Sequence, residues 1–342
     1  MKKLRFGLIG CGRISSQHLD SVRLYRERAE IVAVCDILPS RARETADKYH
    51  ISDWYQDYHQ LLKREDIDVI SICTPNGLHR VMATDTAKSG KHALVEKPLA
   101  ISLKDAEQML RTFQKEHKRL FAVLQVRHNP PVKYMQKFVT ELRLGQVRYA
   151  TLIIRWYRPP EYFKDTWRGT KKYDGGSLLN QGIHYLDALQ WIVGGVDGVS
   201  FAKTLNLCHR IEIEDTAFAL IKLKHGGWAN IEFSLCGYPQ NSECSLTLVG
   251  EKGTVKIGGQ ALDELVLWNV PGVKKPTLTK SIKPNRYSGG LYQGSCPYHF
   301  LIYREVLNAL QKKYPNPIEG KEAIASIRIV EEIYRSALPN NR

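Results

Sequence analysis

A chain of 342 residues, 43% apolar and 25% charged, has the make-up of a soluble globular protein and room for two domains. That excludes wholesale disorder, a coiled coil and a collagen-like array. The net charge of +15 comes from scattered Lys and Arg without any nucleic-acid-binding motif, so it implies a basic solvated surface or attraction for an anionic small substrate, not a nucleic-acid partner.

No stretch approaches the ~18 consecutive apolar residues of a membrane span, so no membrane partner is expected. The N-terminal run 1–12 is basic, then apolar, but short and broken by glycines. It reads as a first strand and not as a signal peptide, which makes a cytoplasmic location the expectation. The seven cysteines include no Cys-x-x-Cys and no zinc-type spacing with His. They read as free thiols packed as small apolar groups, and nothing requires a metal.

In chain order, 4–9 is a buried strand ending at Gly10-Cys11-Gly12, and a helix follows over 14–28. A second strand, 31–35, ends in Asp36, and the next helix turns Arg41, Arg43, Glu44 and Lys48 outward. Strand 69–73 runs into Thr74-Pro75-Asn76, and helix 79–89 closes at Gly90. Strand 93–95 runs into Glu96-Lys97-Pro98, an amphipathic helix covers 103–117, and 121–125 is one more strand. Short Val- and Ile-rich strands alternating with helices predict a doubly wound parallel sheet.

A helix near 130–144 links to a second half of different pattern. Strands are expected at 147–157, 199–205, 216–223, 228–235, 245–249 and 254–257, with turns at His225-Gly226-Gly227 and at 250–253. One helix, 177–193, interrupts them and stops at Gly194-Gly195. The segment 269–295 reads as a loop, and helices 298–311 and 321–337 close the chain. The fold class is α/β, with a parallel-sheet domain over 1–125 and an α+β domain with an open, mainly antiparallel sheet over 126–342.

Gly10-x-Gly12-x-x-Ser15 lies between a strand and a helix. Gly10 permits the tight turn, Gly12 lets backbone approach a pyrophosphate, and the helix N-terminus offers N–H groups and partial positive charge. Asp36 ends the next strand, at the spacing of a ribose-binding carboxylate. Such a carboxylate repels a 2′-phosphate, so NAD is expected. The nearby Arg41 and Arg43 leave NADP as an alternative.

Ligands of an open parallel sheet lie beyond the carboxyl ends of its strands. Three segments arrive there: 10–15, 73–76 with His79, and 96–98. Lys97 follows a buried strand and precedes a proline that restricts its backbone, and the Lys97-Pro98 bond is a candidate for the cis form. On helix 177–193, Asn180 and His184 stand i,i+4 with Asp187 three residues on, a polar stripe among Leu178, Leu179, Ile183, Leu186 and Leu189. Burying such groups unpaired costs several kcal/mol, so they face a cleft or one another. The alternative is a satisfied core histidine with Asp187 as its partner.

The set formed by Gly7-Leu8-Ile9-Gly10-Cys11-Gly12-Arg13-Ile14, Cys73-Thr74-Pro75-Asn76 with His79, Glu96-Lys97-Pro98, Trp167-Arg168-Gly169 and 175–184 with Asp187 resembles the glucose-fructose oxidoreductase/inositol dehydrogenase/rhizopine catabolism (Gfo/Idh/MocA) family. The resemblance implies a Rossmann domain followed by an α+β domain used for oligomerisation, here as a homodimer or homotetramer. It implies NAD(P)-dependent chemistry at a sugar or cyclitol hydroxyl. Lys97 matches the lysine of the Glu-Lys-Pro motif and His184 the catalytic histidine. Cofactor contacts are implied for Gly10, Gly12, Arg13, Ile14, Asp36, Thr74, Pro75, Asn76, His79, Glu96, Lys97, Gln125, Trp167 and Arg168, and substrate contacts for Asn180, Arg127 and Asp187. Asn180 stands where many members have Asp. This departure argues against a mechanism that needs a carboxylate there, although some sugar-nucleotide members share the Asn.

Within the family, 125–132 and the stretch from Tyr162 to Thr170 look most like UDP-N-acetyl-2-amino-2-deoxyglucuronate (UDP-GlcNAc uronate) 3-dehydrogenases. Arg127 suits bidentate pairing with a substrate carboxylate or phosphate, or a structural ion pair. The expected reaction removes a hydroxyl proton while hydride passes to nicotinamide, with His184 as base and Lys97 holding the oxygen, or the reverse. A dehydrogenase of a free sugar or inositol, and a non-catalytic NAD-binding regulator, are the competing readings.

Overall fold

A computed structural model describes residues 2–164, 167–287, 292–312 and 318–338. The chain forms two compact units, Met1–Leu124 with His299–Ile324 and Gln125–Tyr298 with Ala325–Arg342.

The first unit carries β1 (Leu4–Ile9), α1 (Ser15–Leu24), β2 (Ala29–Cys35), α2 (Pro39–Tyr49), β3 (Asp53–Tyr55), α3 (Tyr58–Leu62) and β4 (Val69–Ile72). Then come α4 (His79–Lys88), β5 (His92–Val95), α5 (Leu103–Lys115) and β6 (Leu120–Ala122). The six strands are parallel in the order β3-β2-β1-β4-β5-β6, the doubly wound arrangement expected. Strand β4 is buried along its whole length, as a strand covered on both faces must be. Helix α5 shows the local logic: Ser102 accepts the Asp105 N–H as N-cap, and Ala106, Met109 and Phe113 bury one stripe.

Two elements escaped the sequence reading here: the three-residue edge strand β3 and the five-residue α3. Residues 121–125 were expected as one strand, but β6 stops at Ala122 and Gln125–His128 forms a 3₁₀ turn.

The second unit holds α6 (Pro130–Thr140), β7 (Val147–Arg155), α7 (Ile183–Val193), β8 (Val196–Leu205), β9 (Thr216–Leu223) and β10 (Trp228–Ser234). β11 (Glu243–Gly250), β12 (Gly253–Gly258), β13 (Glu264–Asn269) and the short pair β14 (Arg286–Tyr287) and β15 (Tyr292–Gln293) follow. Its seven-stranded sheet runs β13-β12-β11-β7-β10-β9-β8. All pairings are antiparallel except β7 with β10, which makes the sheet mixed. From Ala217 on, β9 alternates, with Ala217, Ala219, Ile221 and Leu223 inward and Phe218, Leu220 and Lys222 outward. Helix α7 packs on β7. The expected loop 269–295 carries the β14–β15 pair, and its positions 288–291 lie outside the described residues.

The second domain was expected as one run, 126–342, but it is discontinuous. Helix α8 (His299–Lys312) belongs to the first unit, and most of α9 (Gly320–Ala337) to the second. The reason is apolar: Ile302, Tyr303, Val306 and Leu307 of α8 share one buried cluster with Phe6, Val22, Val69, Leu94 and Phe121.

Candidate active site

Within the first unit, the ends of the adjacent strands β1, β4 and β5 carry the three turns singled out above. Gly10 adopts φ +99°, and a Cβ there would lie 2.7 Å from the Cys73 carbonyl oxygen, so only glycine fits. A Cβ on Gly12 would meet nothing within 4 Å. The fold itself does not demand glycine at that place, which leaves open space in front of the turn, as a bound pyrophosphate requires. Ser15, in place of a third glycine, turns its hydroxyl onto the Gly12 carbonyl at 2.7 Å and opens α1. Arg13 is exposed and Ile14 half-buried beside it.

Asp36 caps this turn from β2. Its Oδ2 accepts the Cys11 N–H at 2.8 Å and its Oδ1 the Leu38 N–H at 2.9 Å. The carboxylate therefore shapes the dinucleotide turn as well as presenting negative charge where a ribose would lie. Of the two arginines that left NADP open, Arg43 stacks over Trp54 at 5.2 Å and Arg41 is exposed. The glycine geometry, the open space and the carboxylate fit NAD.

Two residues expected as cofactor contacts do something else. His79 is wholly buried, with Nδ1 2.8 Å from the Pro98 carbonyl and Nε2 2.9 Å from the Thr74 carbonyl. Burial holds its pKa below the ordinary value, against the pull of the two carbonyls. A neutral imidazole has one N–H, so one contact is a full hydrogen bond. His79 thus braces the 74–76 turn against the 96–98 turn. Thr74 and Pro75 stay half-buried while Asn76 is buried.

Glu96 is likewise internal. Its Oε1 lies 2.9 Å from Nε2 of both His18 and His299, and its Oε2 accepts the Lys97 N–H at 3.1 Å. Burial alone would raise its pKa, but the two imidazole donors hold it well below the usual carboxylate range. His18 is pushed the other way, below its ordinary value, because burial outweighs the pull of Glu96 and so favours the neutral ring. Its Nε2–H then donates to Glu96 and its Nδ1 accepts from the Tyr303 hydroxyl at 3.0 Å, which also pairs with Ser71 at 2.7 Å. The Glu-Lys-Pro glutamate is an anchor that fixes the backbone of Lys97, whose side chain is half-buried and whose bond to Pro98 is cis. His18, Ser71, His299 and Tyr303 were missed. The available signal was His18, a histidine on the inward face of α1 beside Leu19 and Val22.

Within the second unit, the expected helix 177–193 opens with a π-helical turn, Leu178–Gly182, before α7 begins. Single π turns recur at functional sites. Asn180 lies in this turn and donates its N–H to the Gly176 carbonyl at 2.8 Å. His184 follows in the first turn of α7 and is buried. Asp187 does not pair with His184 or reach solvent: Arg127 Nε and Nη2 grip Oδ2 and Oδ1 at 2.7 and 2.8 Å, and the Ser326 hydroxyl donates to Oδ1 at 2.7 Å. Both side chains are only 3% exposed. Arg127 and Asp187, expected as substrate contacts, are placed on each other, so the ion-pair alternative is the one this geometry supports.

Gln125 is buried and donates to Ser295 at 3.0 Å, while its Oε1 has no partner among the described residues. Arg168 lies 4.8 Å over Tyr162 and 4.9 Å over Trp167, an aromatic clamp on the 167–169 segment. Gly169 is tied to Asp174 through its N–H at 2.7 Å.

Comparison with known proteins agrees with these features. Residues 4–124 match the oxidoreductase-family model for an NAD-binding Rossmann fold, and 136–341 match that family's C-terminal alpha/beta domain. The chain belongs to the Gfo/Idh/MocA oxidoreductase family.

It is accordingly an NAD-binding oxidoreductase of the sugar and polyol dehydrogenase type, acting on CH–OH groups. Among solved structures it is similar to the WlbA dehydrogenase of Bordetella pertussis in complex with NADH and UDP-GlcNAcA. That likeness is 34% identity over 99% of this chain and 97% of that one, with a TM-score of 0.88. The WlbA dehydrogenase of Chromobacterium violaceum, also with NADH and UDP-GlcNAcA, is 30% identical over 100% and 98%, again with a TM-score of 0.88. Among curated relatives, the myo-inositol 2-dehydrogenase of Thermotoga maritima is 27% identical over 262 residues, 74% of each chain. No helix among the described residues is long and apolar enough to cross a membrane.

Proposed function

We propose that this Gfo/Idh/MocA member oxidises the 3-hydroxyl of a UDP-linked N-acetylglucosamine uronate with NAD as acceptor. The observation that carries the reading is the 34% identity, over nearly the whole of both chains, to a dehydrogenase solved with NADH and UDP-GlcNAcA. The net charge of +15 suits a substrate bearing a diphosphate and a carboxylate.

Bound NAD supplies the hydride acceptor. His184 takes the hydroxyl proton on a ring nitrogen as the C–H electron pair leaves with hydride, and Lys97 donates a hydrogen bond to the oxygen that becomes the ketone. Histidine suits the base role because its ordinary pKa, ~6.5, lies near neutrality. Lysine would need lowering by roughly three units from ~10.4, or about 4 kcal/mol. Asn180 orients a neighbouring substrate hydroxyl. Asp36 binds the adenosine ribose. Glu96 and His79 position the Lys97 turn from beneath. The open outer face of the second unit's sheet, with Phe201, Phe218, Trp228 and Val266 exposed, is assigned to subunit contact in a dimer or tetramer.

The test is NADH formation from UDP-GlcNAc uronate, UDP-GlcNAc, free N-acetylglucosamine and myo-inositol. The uronate should give the highest kcat/KM by at least ~100-fold. Faster turnover of inositol or a free hexose refutes the substrate, and full activity in His184→Ala refutes the base.

A further inference from the structure

Under the π turn lies a carboxylate that the reaction scheme does not use. Glu214, in the loop before β9, accepts the Leu178 N–H on Oε1 at 2.7 Å. The same oxygen accepts the Tyr334 hydroxyl of α9 at 2.7 Å. Tyr334 in turn accepts the Leu179 N–H at 3.2 Å. The first two amides of the π turn are thus held by one carboxylate and one phenol from distant parts of the chain.

Gly176 completes the arrangement. It adopts φ +148°, and a Cβ there would stand 1.9 Å from the Tyr334 hydroxyl oxygen. Gly176 is therefore the opening through which Tyr334 reaches the helix start. The amides that Glu214 and Tyr334 hold are two and one residues before Asn180, and His184 follows one turn later.

We propose that Glu214, acting with Tyr334, is a positioning residue for the reaction: ionised, it clamps the start of the π turn and so sets where Asn180 and His184 stand. This rests on the reading of Asn180 and His184 as substrate-facing groups. A carboxylate accepts from both donors more strongly than a carboxylic acid does and complements the positive end of the helix. The titratable groups facing it are Tyr334 on α9 and Asp174 in the loop ahead of the π turn. Burial raises the Glu214 pKa to about 7, with the Asp174 charge adding to it and the Leu178 and Tyr334 donors opposing. Its ionisation therefore falls near neutral pH.

The experiment compares wild type with Glu214→Gln, Tyr334→Phe and His184→Ala as full-length protein, with thermal unfolding and NAD affinity measured on each. Wild-type kcat should fall on the acid side with two ionisations, those of Glu214 and His184. Glu214→Gln should lower kcat about tenfold with NAD affinity unchanged, and should reduce the acid limb to one ionisation. Tyr334→Phe should lower kcat in the same direction, and the double variant should lose less than the product of the two single losses. Wild-type kcat and an unaltered acid limb in folded Glu214→Gln overturn the proposal while His184→Ala is inactive. Full activity in His184→Ala overturns the reading beneath it. If Glu214→Gln does not fold, Tyr334→Phe decides: an unchanged kcat overturns the clamp.

Discussion

Asp187→Asn separates a structural Arg127 from a substrate-binding one. In the native protein both carboxylate oxygens accept from the guanidinium, at 2.7 and 2.8 Å, and Oδ1 takes the Ser326 hydroxyl as well. The amide keeps the shape but turns one acceptor into a donor facing an N–H. It also leaves a guanidinium, 3% exposed and unable to lose its proton, without its countercharge. Breaking a buried pair in this way costs about 3–5 kcal/mol. The stacking of Arg127 over Trp191 at 5.1 Å is retained, so the lower end is expected. At ~2–4 °C per kcal/mol for a domain of this size, the melting temperature should fall by about 10 °C. Thermal unfolding followed by circular dichroism gives this directly. Replacing both partners with apolar residues, Arg127→Met with Asp187→Leu, should recover most of the loss. A melting temperature within 2 °C of wild type, together with a sugar KM raised tenfold or more, would refute the reasoning and return Arg127 to the substrate.

Two further outcomes are expected. Gly10→Ala, at φ +99° and with its Cβ 2.7 Å from the Cys73 carbonyl, should weaken NAD binding more than tenfold by fluorescence titration; an unchanged affinity would show that this turn does not hold the dinucleotide. Glu214→Gln should change stability as well as rate: with the native pKa near 7 against 4.5, the native state binds the extra proton, so wild-type stability falls as pH rises between those values. The ceiling is about 3 kcal/mol, since the residue is only partly enclosed. Chemical denaturation should find the variant more stable than wild type at pH 8 and equal to it near pH 4; equal stability at pH 8 would show that the carboxylate carries no such penalty.

Local patterns determined much of this protein. The runs at β1, β4 and β5 are short, largely apolar and followed closely by glycine or proline, so their state and the turns after them follow from sequence neighbours alone. The glycine turn at Gly10 and Gly12 was legible for the same reason, since a tight turn is defined by residues close in the chain, whereas the capping of that turn by Asp36 across 25 residues was not. The edge strands β3 and β13 were not legible: they are short and mostly exposed or half-buried, and only their hydrogen bonds to β2 and β12 make them strands.

The roles of buried polar groups needed the tertiary structure. Whether Glu96 meets a cofactor or two histidines depends on His18 and His299, 78 and 203 positions away. Whether Arg127 meets a substrate or Asp187 is decided across 60 residues, and Glu214 finds Tyr334 across 120. Periodicity says that a charged side chain is turned inward, but the group that neutralises it is brought there by chain-distant packing, which no local pattern records.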